Sequence, residues 1–388
     1  MFALNGFLAA LWVAHIPVIS AQTGVGHDQL GGLLLLLGAS AFVGMQVCGP
    51  LIDRFGSKPL TIAAALLLSA VIVAPVLSHS AAQLAAALVA FGFANGSLDV
   101  SMNAQAVAVE RAYRRPIMSA FHGFFSIGGL VGSGLVAATL WADVGPVKTV
   151  AVAAAAGAVL ALIVSRALAG PNVGAEAATA TDDVAERETG RTPRWWDGVD
   201  LRRLALLAAV AFALMLAEGT AYDWSALHIV ETFGTSEAVG AVAFGAFSAA
   251  MTVARFVVDG VVERVGAVAV VRYGSLIGLV GMVTAISAPT PAVAITGWIV
   301  FGIGLAGLIP QIFTAAGNLT AGTGGRTISM VVGCGYLGML AGPAVVGFIS
   351  STTTLGTGLI AAVAALVFAG AAAGVVRPRS ARRATLEG

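Results

Sequence analysis

Twelve apolar stretches of about 20 residues each, separated by short polar breaks, leave this chain few ways to fold. A helix of that length crosses the roughly 30 Å hydrocarbon core of a bilayer and satisfies its own backbone hydrogen bonds there. The predicted spans are Phe2 to Ser20, Leu30 to Cys48, Leu60 to Leu77, Ala81 to Val107, Ile117 to Leu140 and Val147 to Leu168. A second set follows: Leu204 to Val230, Ala238 to Val258, Ala267 to Ser287, Ala292 to Phe313, Thr327 to Ser350 and Leu355 to Val376. Hydrophobic residues make up 58% of the 388 and charged residues only 10%, too few charges to cover a soluble protein of this size. The chain therefore reads as an all-α membrane protein with the lipid bilayer as its solvent.

Lys and Arg set the expected orientation, because cytoplasmic loops collect them. With both termini cytoplasmic, Lys148 is the one basic residue of 20 on the outer side. The remaining 19 then fall in inner loops, at inner helix ends or in the tail. The first span can itself act as the insertion signal, and its abrupt start at Met1 and Phe2 leaves the cytoplasmic N-terminal tail either short or outside the given sequence. Residues 170–200, rich in Ala, Thr, Asp, Glu and Arg, read as a cytoplasmic linker between an N-terminal six-helix bundle (1–169) and a C-terminal one (201–377), with a cytoplasmic tail at 378–388. Trp195 and Trp196, beside Arg194, Arg202 and Arg203, read as an interfacial anchor. Cys48 and Cys334 fall inside apolar spans and read as packing residues. No basic cluster outside the membrane-flanking loops favours nucleic acid.

An internal repeat gives the architecture. A shift of 210 residues lays Asp53-Arg54-Phe55-Gly56 on Glu263-Arg264-Val265-Gly266, and Ser119, Gly123, Gly128 and Gly132 on Ser329, Gly333, Gly338 and Gly342. Two six-helix halves related by an axis along the membrane normal are the arrangement of many alternating-access carriers.

Between the second and third spans the chain reads Gly49-Pro50-Leu51-Ile52-Asp53-Arg54-Phe55-Gly56-Ser57-Lys58. This resembles the G-x-x-x-D-R-x-G-R-[RK] loop of the major facilitator superfamily, with Ser57 in place of the usual first basic residue. Leu98-Asp99-Val100-Ser101-Met102-Asn103-Ala104-Gln105, an acid followed four residues later by Asn, resembles the fucose-permease-like branch. The stretch Arg115 to Gly123, and Glu218-Gly219 with Asp223-Trp224, resemble a bacterial branch near those permeases. The resemblance implies two pseudo-symmetric six-helix bundles in the plasma membrane of a bacterium, acting as a monomer. It implies a cavity lined by spans 1, 4, 7 and 10, and a latch at the Gly49, Asp53, Arg54 and Gly56 loop that holds the halves together on the inner side. Arg111 is the expected basic partner of Asp53.

Asn95, Asp99 and Asn103 recur at i, i+4 and i+8 on one face of span 4, with Glu110 nearby at the inner end. A carboxylate near mid-membrane costs about 2.5 to 3.5 kcal/mol on insertion scales, so Asp99 must face a cavity, find a partner or stay protonated. Span 7 carries Glu218 near its midpoint, with Tyr222 and Ser225 on the same face and Asp223 and Trp224 toward the outer end. Asp99 and Glu218 are the expected proton-coupling pair, facing each other across the two halves. Asn5, Trp12 and His15 share a face of span 1, where Trp12 offers a stacking surface and His15 a titratable ring. Gln311, Thr314 and Asn318 point toward an inner vestibule. The substrate-contacting set is thus Trp12, His15, Asn95, Asn103, Tyr222, Asp223, Trp224 and Gln311. His122 reads as a packing or gate residue, Arg255, Asp259, Glu263 and Arg264 as a second, weaker latch, and the glycines of spans 5 and 11 as a sliding surface between halves.

No phosphate-binding Gly-Lys loop, metal-ligand spacing or nucleophile–base pattern occurs, so the reading is a non-enzyme without metal or cofactor. A proton-coupled symporter of a sugar or related small polar solute is the leading expectation. Acids without a matching intramembrane Arg or Lys also suit a proton antiporter that expels apolar or cationic compounds. A receptor or scaffold that keeps the fold without transport is the reading from another class.

Overall fold

In a computed structural model, residues 1–25, 27–169, 196, 199–320 and 324–378 are described. Among them there is no strand, and twelve helices are long and apolar enough to cross a membrane. The first six are α1 (Phe2–Thr23), α2 (Gln29–Phe55), α3 (Ser57–Val76), α4 (Ala81–Tyr113), α5 (Met118–Trp141) and α6 (Pro146–Ser165). The second six are α7 (Leu201–Phe233), α8 (Val239–Val265), α9 (Ala267–Ile286), α10 (Pro291–Gly317), α11 (Gly325–Thr352) and α12 (Leu355–Val376). Within each half, α1 packs on α5 and α2 on α4, just as α7 packs on α11 and α8 on α10. The halves meet through α2 against α11 and α5 against α8. We call the end carrying the 2–3, 4–5, 8–9 and 10–11 connections the basic end.

Several helices outrun the apolar stretches that predict them, because a helix continues wherever its backbone bonds and side chains are satisfied, not where hydropathy falls. The signature segment is not a loop: α2 runs through Asp53 to Phe55, and only Gly56 breaks it. Gly56 (φ 81°) and its repeat partner Gly266 (φ 83°) make the same turn, in a region of φ/ψ space that side chains with a Cβ avoid. α4 continues six residues past its predicted Val107 end, to Tyr113. α8 extends past Val258 to Val265, which puts Arg255 ten residues inside the helix instead of at its margin. α10 is broken at Ala306 and Gly307, four residues before Pro310. Proline has no N–H to give the Ala306 carbonyl and crowds it, so the break falls where its ring requires.

The glycines of α5 and α11 need a correction. Gly123 meets Phe256 and Gly333 meets Gln46 and Phe42, so these two do face the other half. Deeper in, a Cβ on Gly128 would collide with the Ala3 carbonyl, one on Gly338 with the Phe212 carbonyl, and one on Gly342 with the Leu216 carbonyl. Those glycines weld α5 to α1 and α11 to α7 inside each half. They are seams of rigid bundles, whereas Gly123 and Gly333, nearest the basic end, face the other half.

Of the 170–200 linker only Trp196 and residues 199–200 are described; Arg194, Trp195 and the rest of the segment lie outside the described residues, as do tail residues 379–388. Trp196 is partly exposed. The Asp200 carboxylate accepts the Arg203 backbone N–H at 3.1 Å and caps α7, while the Arg203 guanidinium donates to the Val375 and Arg377 carbonyls. The start of α7 is thereby tied to the end of α12.

Candidate functional site

At the basic end the halves are joined by carboxylates that cap helices. Asp53 at the foot of α2 accepts the backbone N–H groups of Gly325 (2.8 Å) and Arg326 (3.1 Å), the first two of α11. Asp259 in α8 accepts those of Ser119 (3.1 Å) and Ala120 (2.7 Å) at the start of α5. Such N–H groups have no partner within their own helix and carry the positive end of its dipole, so a carboxylate satisfies both demands. Glu110 completes the α5 cap: one oxygen accepts from Ile117 N (3.0 Å) and Met118 N (3.1 Å), the other from the Thr314 hydroxyl (2.7 Å) in α10. The Arg111 guanidinium donates to Asn318 and to the Gly317 carbonyl, crossing from α4 to α10.

The predicted latch residues are therefore only partly joined as expected. Arg326 stands beside Asp53, at 3.9 Å, and Arg111 reaches α10. Gly49 admits Ser329 of α11 so closely that a Cβ there would strike its hydroxyl. Arg54 lies over the Phe55 ring at 5.1 Å, on its own half. In the second half Glu263 pairs with Arg115 in the open, at 2.9 Å. That contact raises the already high Arg115 pKa. The 210-residue offset holds for these contacts too: Glu263 with Arg115 repeats Asp53 with Gly325, and Asp259 stands where the first half has Gly49.

Midway through the bilayer a line of polar groups crosses the molecule. Asp99 of α4 is 6% exposed, and the Tyr336 hydroxyl of α11 lies toward its carboxylate. Tyr336 also feels the charge of Glu218 in α7, itself 7% exposed. Glu218 accepts from Arg255 of α8 at 3.1 Å, with both side chains under 10% exposed. The Tyr222 hydroxyl also lies toward Glu218, its ring packed on Phe244 and Phe247. The second Arg255 terminal nitrogen donates to the Ser126 hydroxyl of α5, at 2.8 Å, so this pair too reaches across the halves. Arg255 Nε is buried without a partner among the described residues.

Arg255 overturns one premise of the sequence reading: the intramembrane acids do have a matching cation, and the argument for cationic cargo drawn from its absence fails. Tyr336 and Ser126 are site residues sequence reasoning missed, and Arg255, read there as a latch residue, is the partner of Glu218. Shifting by 210 residues places Tyr336 on Ser126, the one signal that could have paired them.

The other candidates separate into groups. Asn103 joins Asp99, its amide donating to the Asp99 carbonyl (2.8 Å) and carboxylate (3.4 Å). Asn95 lies one turn away on α4 with its Oδ1 buried and unpartnered among the described residues. Trp12 is packed at 6.4 Å from the Phe91 ring of α4. It is 4% exposed, so it presents no free stacking surface in this conformation. His15 donates from Nδ1 to the Leu11 carbonyl of its own helix, at 2.7 Å, leaving Nε2 buried without a described partner. Asn5 contacts Met102 of α4. His122 packs against Phe2 and Phe313.

Gln311 lines a basic-end cavity of about 440 Å³ with Arg111, Thr314 and Asn318. Trp224 lies in a cleft of about 800 Å³ with His228, Glu231 and Ser350. Its ring lies against Gly347 of α11. Asp223 is exposed. Groups of three or more His, Cys, Asp or Glu suited to a metal ion are absent among the described residues.

Residues 1–224 match the family model described as Major Facilitator Superfamily. An uncharacterized MFS-type transporter of Yersinia pestis is 32% identical over 354 residues, covering 91% of this chain and 88% of that one. Membrane protein MosC of Rhizobium meliloti is 29% identical over 372 residues, covering 92% and 84%. Among solved structures, the transporter FucP in its outward conformation superposes with a TM-score of 0.78 at 14% identity, over 97% of this chain and 96% of that one. The human organic anion transporter MFSD10 gives 0.73 at 16% identity, over 97% of each chain.

Proposed function

Because the chain belongs to the major facilitator superfamily, we propose that it is a proton-coupled secondary carrier that moves a small polar solute, a sugar or related metabolite, by alternating access. The observation that carries this reading is a pair of buried acids in opposite halves, Asp99 of α4 and Glu218 of α7, each under 10% exposed. Buried carboxylates on either side of the interface between halves can change partner and proton together as the halves move, which is what coupling requires. The resemblance to fucose-permease-like carriers around Asp99, and the fold shared with a fucose:proton symporter, support the choice of solute and ion.

We further propose that the basic end is cytoplasmic, following the distribution of Lys and Arg. On that orientation the caps of Asp53, Asp259 and Glu110 close the inner side, leaving a carrier poised to receive solute from outside. The protein would act as a monomer in a bacterial cytoplasmic membrane.

The test is proton movement. Liposomes containing the purified protein and an internal pH dye are challenged with a panel of sugars and sugar acids. The reading expects at least one compound to carry protons inward in the wild type and none to do so in the Asp99→Asn, Glu218→Gln double variant. Solute uptake without proton movement would remove the coupling.

A further inference from the structure

The Glu218–Arg255 pair is a buried ion pair within the spanning helices, and its geometry is incomplete. A guanidinium matches a carboxylate best when two parallel N–H groups meet two oxygens. Here one oxygen of Glu218 takes one N–H, at 3.1 Å, and the adjacent Nε–H on the same edge is buried with no described partner. The opposite nitrogen is occupied by Ser126. The repeat does not explain the pair, since Glu218 falls on Leu8 and Arg255 on Met45 when shifted by 210 residues. A buried ion pair contributes little to stability compared with apolar residues of the same volume, so its placement on the mid-membrane line beside Asp99 and Tyr336 calls for a use.

We propose that the transported solute carries a carboxylate, which replaces Glu218 on the Nε and terminal N–H edge of Arg255 when Glu218 takes up the proton. This rests on the carrier reading above and names its substrate class. The exchange balances. One proton adds to Glu218, its hydrogen bond from Arg255 is given up, and two N–H bonds to the solute carboxylate replace it. The net charge of the site is the same before and after, so neither state leaves Arg255 as a lone buried cation. The groups facing Glu218 fit both states: Tyr222 on its own helix and Tyr336 from α11, with Asp99 of α4 beyond it. Arg255 of α8 is held in place by Ser126 of α5, with His122 of the same helix nearby. Tyr222 can donate to an ionised Glu218 or accept from a protonated one.

The experiment uses the full chain purified in detergent and a thermal-shift readout with matched pairs: galacturonate and galactose, gluconate and glucitol, lactate and propane-1,2-diol. Each is tested at about pH 5.5 and about pH 7.5, where these acids are ionised throughout. At least one carboxylate should raise the Tm where its neutral counterpart does not, and more strongly at the lower pH. In Glu218→Gln the shift should be equal at both pH values. In the Glu218→Gln, Arg255→Gln double variant, which removes both charges together and so avoids a lone buried ion, it should vanish. A screen in which no carboxylate outperforms its neutral partner, or a double variant that keeps the shift, overturns the proposal. Proton-coupled uptake of a neutral sugar would overturn it too, while leaving the carrier reading intact.

Discussion

Asp53 and Asp259 do the same work from opposite halves: each carboxylate receives two backbone N–H groups at the start of a helix in the other half. Asp53 holds α11 and Asp259 holds α5, so closure of the basic end is a pair of reciprocal helix caps. A cap of this kind costs nothing in side-chain reach and is lost whole when the halves part by a few ångströms, which suits a contact that must open and close.

Neutralising a cap should loosen the basic end. Hydrogen bonds to charged groups contribute about 1.5 to 3 kcal/mol each, so Asp259→Asn should shift the closed–open balance by roughly ten- to a hundredfold. The check is maleimide labelling of Gln311→Cys, in a background with Cys48 and Cys334 replaced, since Gln311 lines the cavity that closure shields. Labelling should accelerate in Asp259→Asn and Asp53→Asn. The exposed Arg115–Glu263 pair is a surface contact, and Glu263→Gln should leave labelling near the wild-type rate.

The glycine seams predict sharp position dependence. Gly128→Ala and Gly338→Ala place a Cβ on a backbone carbonyl that cannot move without shifting a whole helix, and each should destabilise by about 1 to 3 kcal/mol. Gly134, on the same helix as Gly128, has open space around its missing Cβ, and Gly134→Ala should be neutral or slightly stabilising. Thermal unfolding in detergent distinguishes the three.

The buried ion pair should behave non-additively. Arg255→Gln alone leaves Glu218 without its cation, and Glu218→Gln alone leaves Arg255 without its anion; breaking a buried pair this way costs about 3 to 5 kcal/mol. The double variant should be more stable than the sum of the singles allows, by a coupling of about 1 to 3 kcal/mol in a double-mutant cycle. Simple additivity would mean that the pair is not formed in the membrane.

The scaffold was legible because it follows simple periodicities: stretches of bilayer length, one-sided basic loops, and a repeat at 210 residues that reappears in the turns of Gly56 and Gly266. The two acids were legible as well, since a charge within an apolar run is conspicuous. Arg255 was not, because hydropathy ends span 8 at Val258 and so reads the arginine as a margin residue. Only the continuation of α8 to Val265 buries it. Tyr336 escaped notice because an aromatic residue in an apolar helix looks like packing until its hydroxyl is found on the Asp99 side of α11. Trp12 shows the reverse: its type suggests a stacking platform, but it is covered by Phe91. Which side chains meet across the two halves depends on helix rotation, and a single sequence carries no direct record of it.

Asp99 and Glu218 are proposed to couple solute movement to protons. Exchange of labelled for unlabelled solute across a liposome needs the carrier to turn over loaded, with no net proton transfer, whereas accumulation against a gradient needs proton release. Measured with a solute identified in the screen above, Asp99→Asn and Glu218→Gln should retain exchange within a few-fold of wild type and lose accumulation driven by a pH gradient. Variants that still accumulate solute under that gradient would contradict the account.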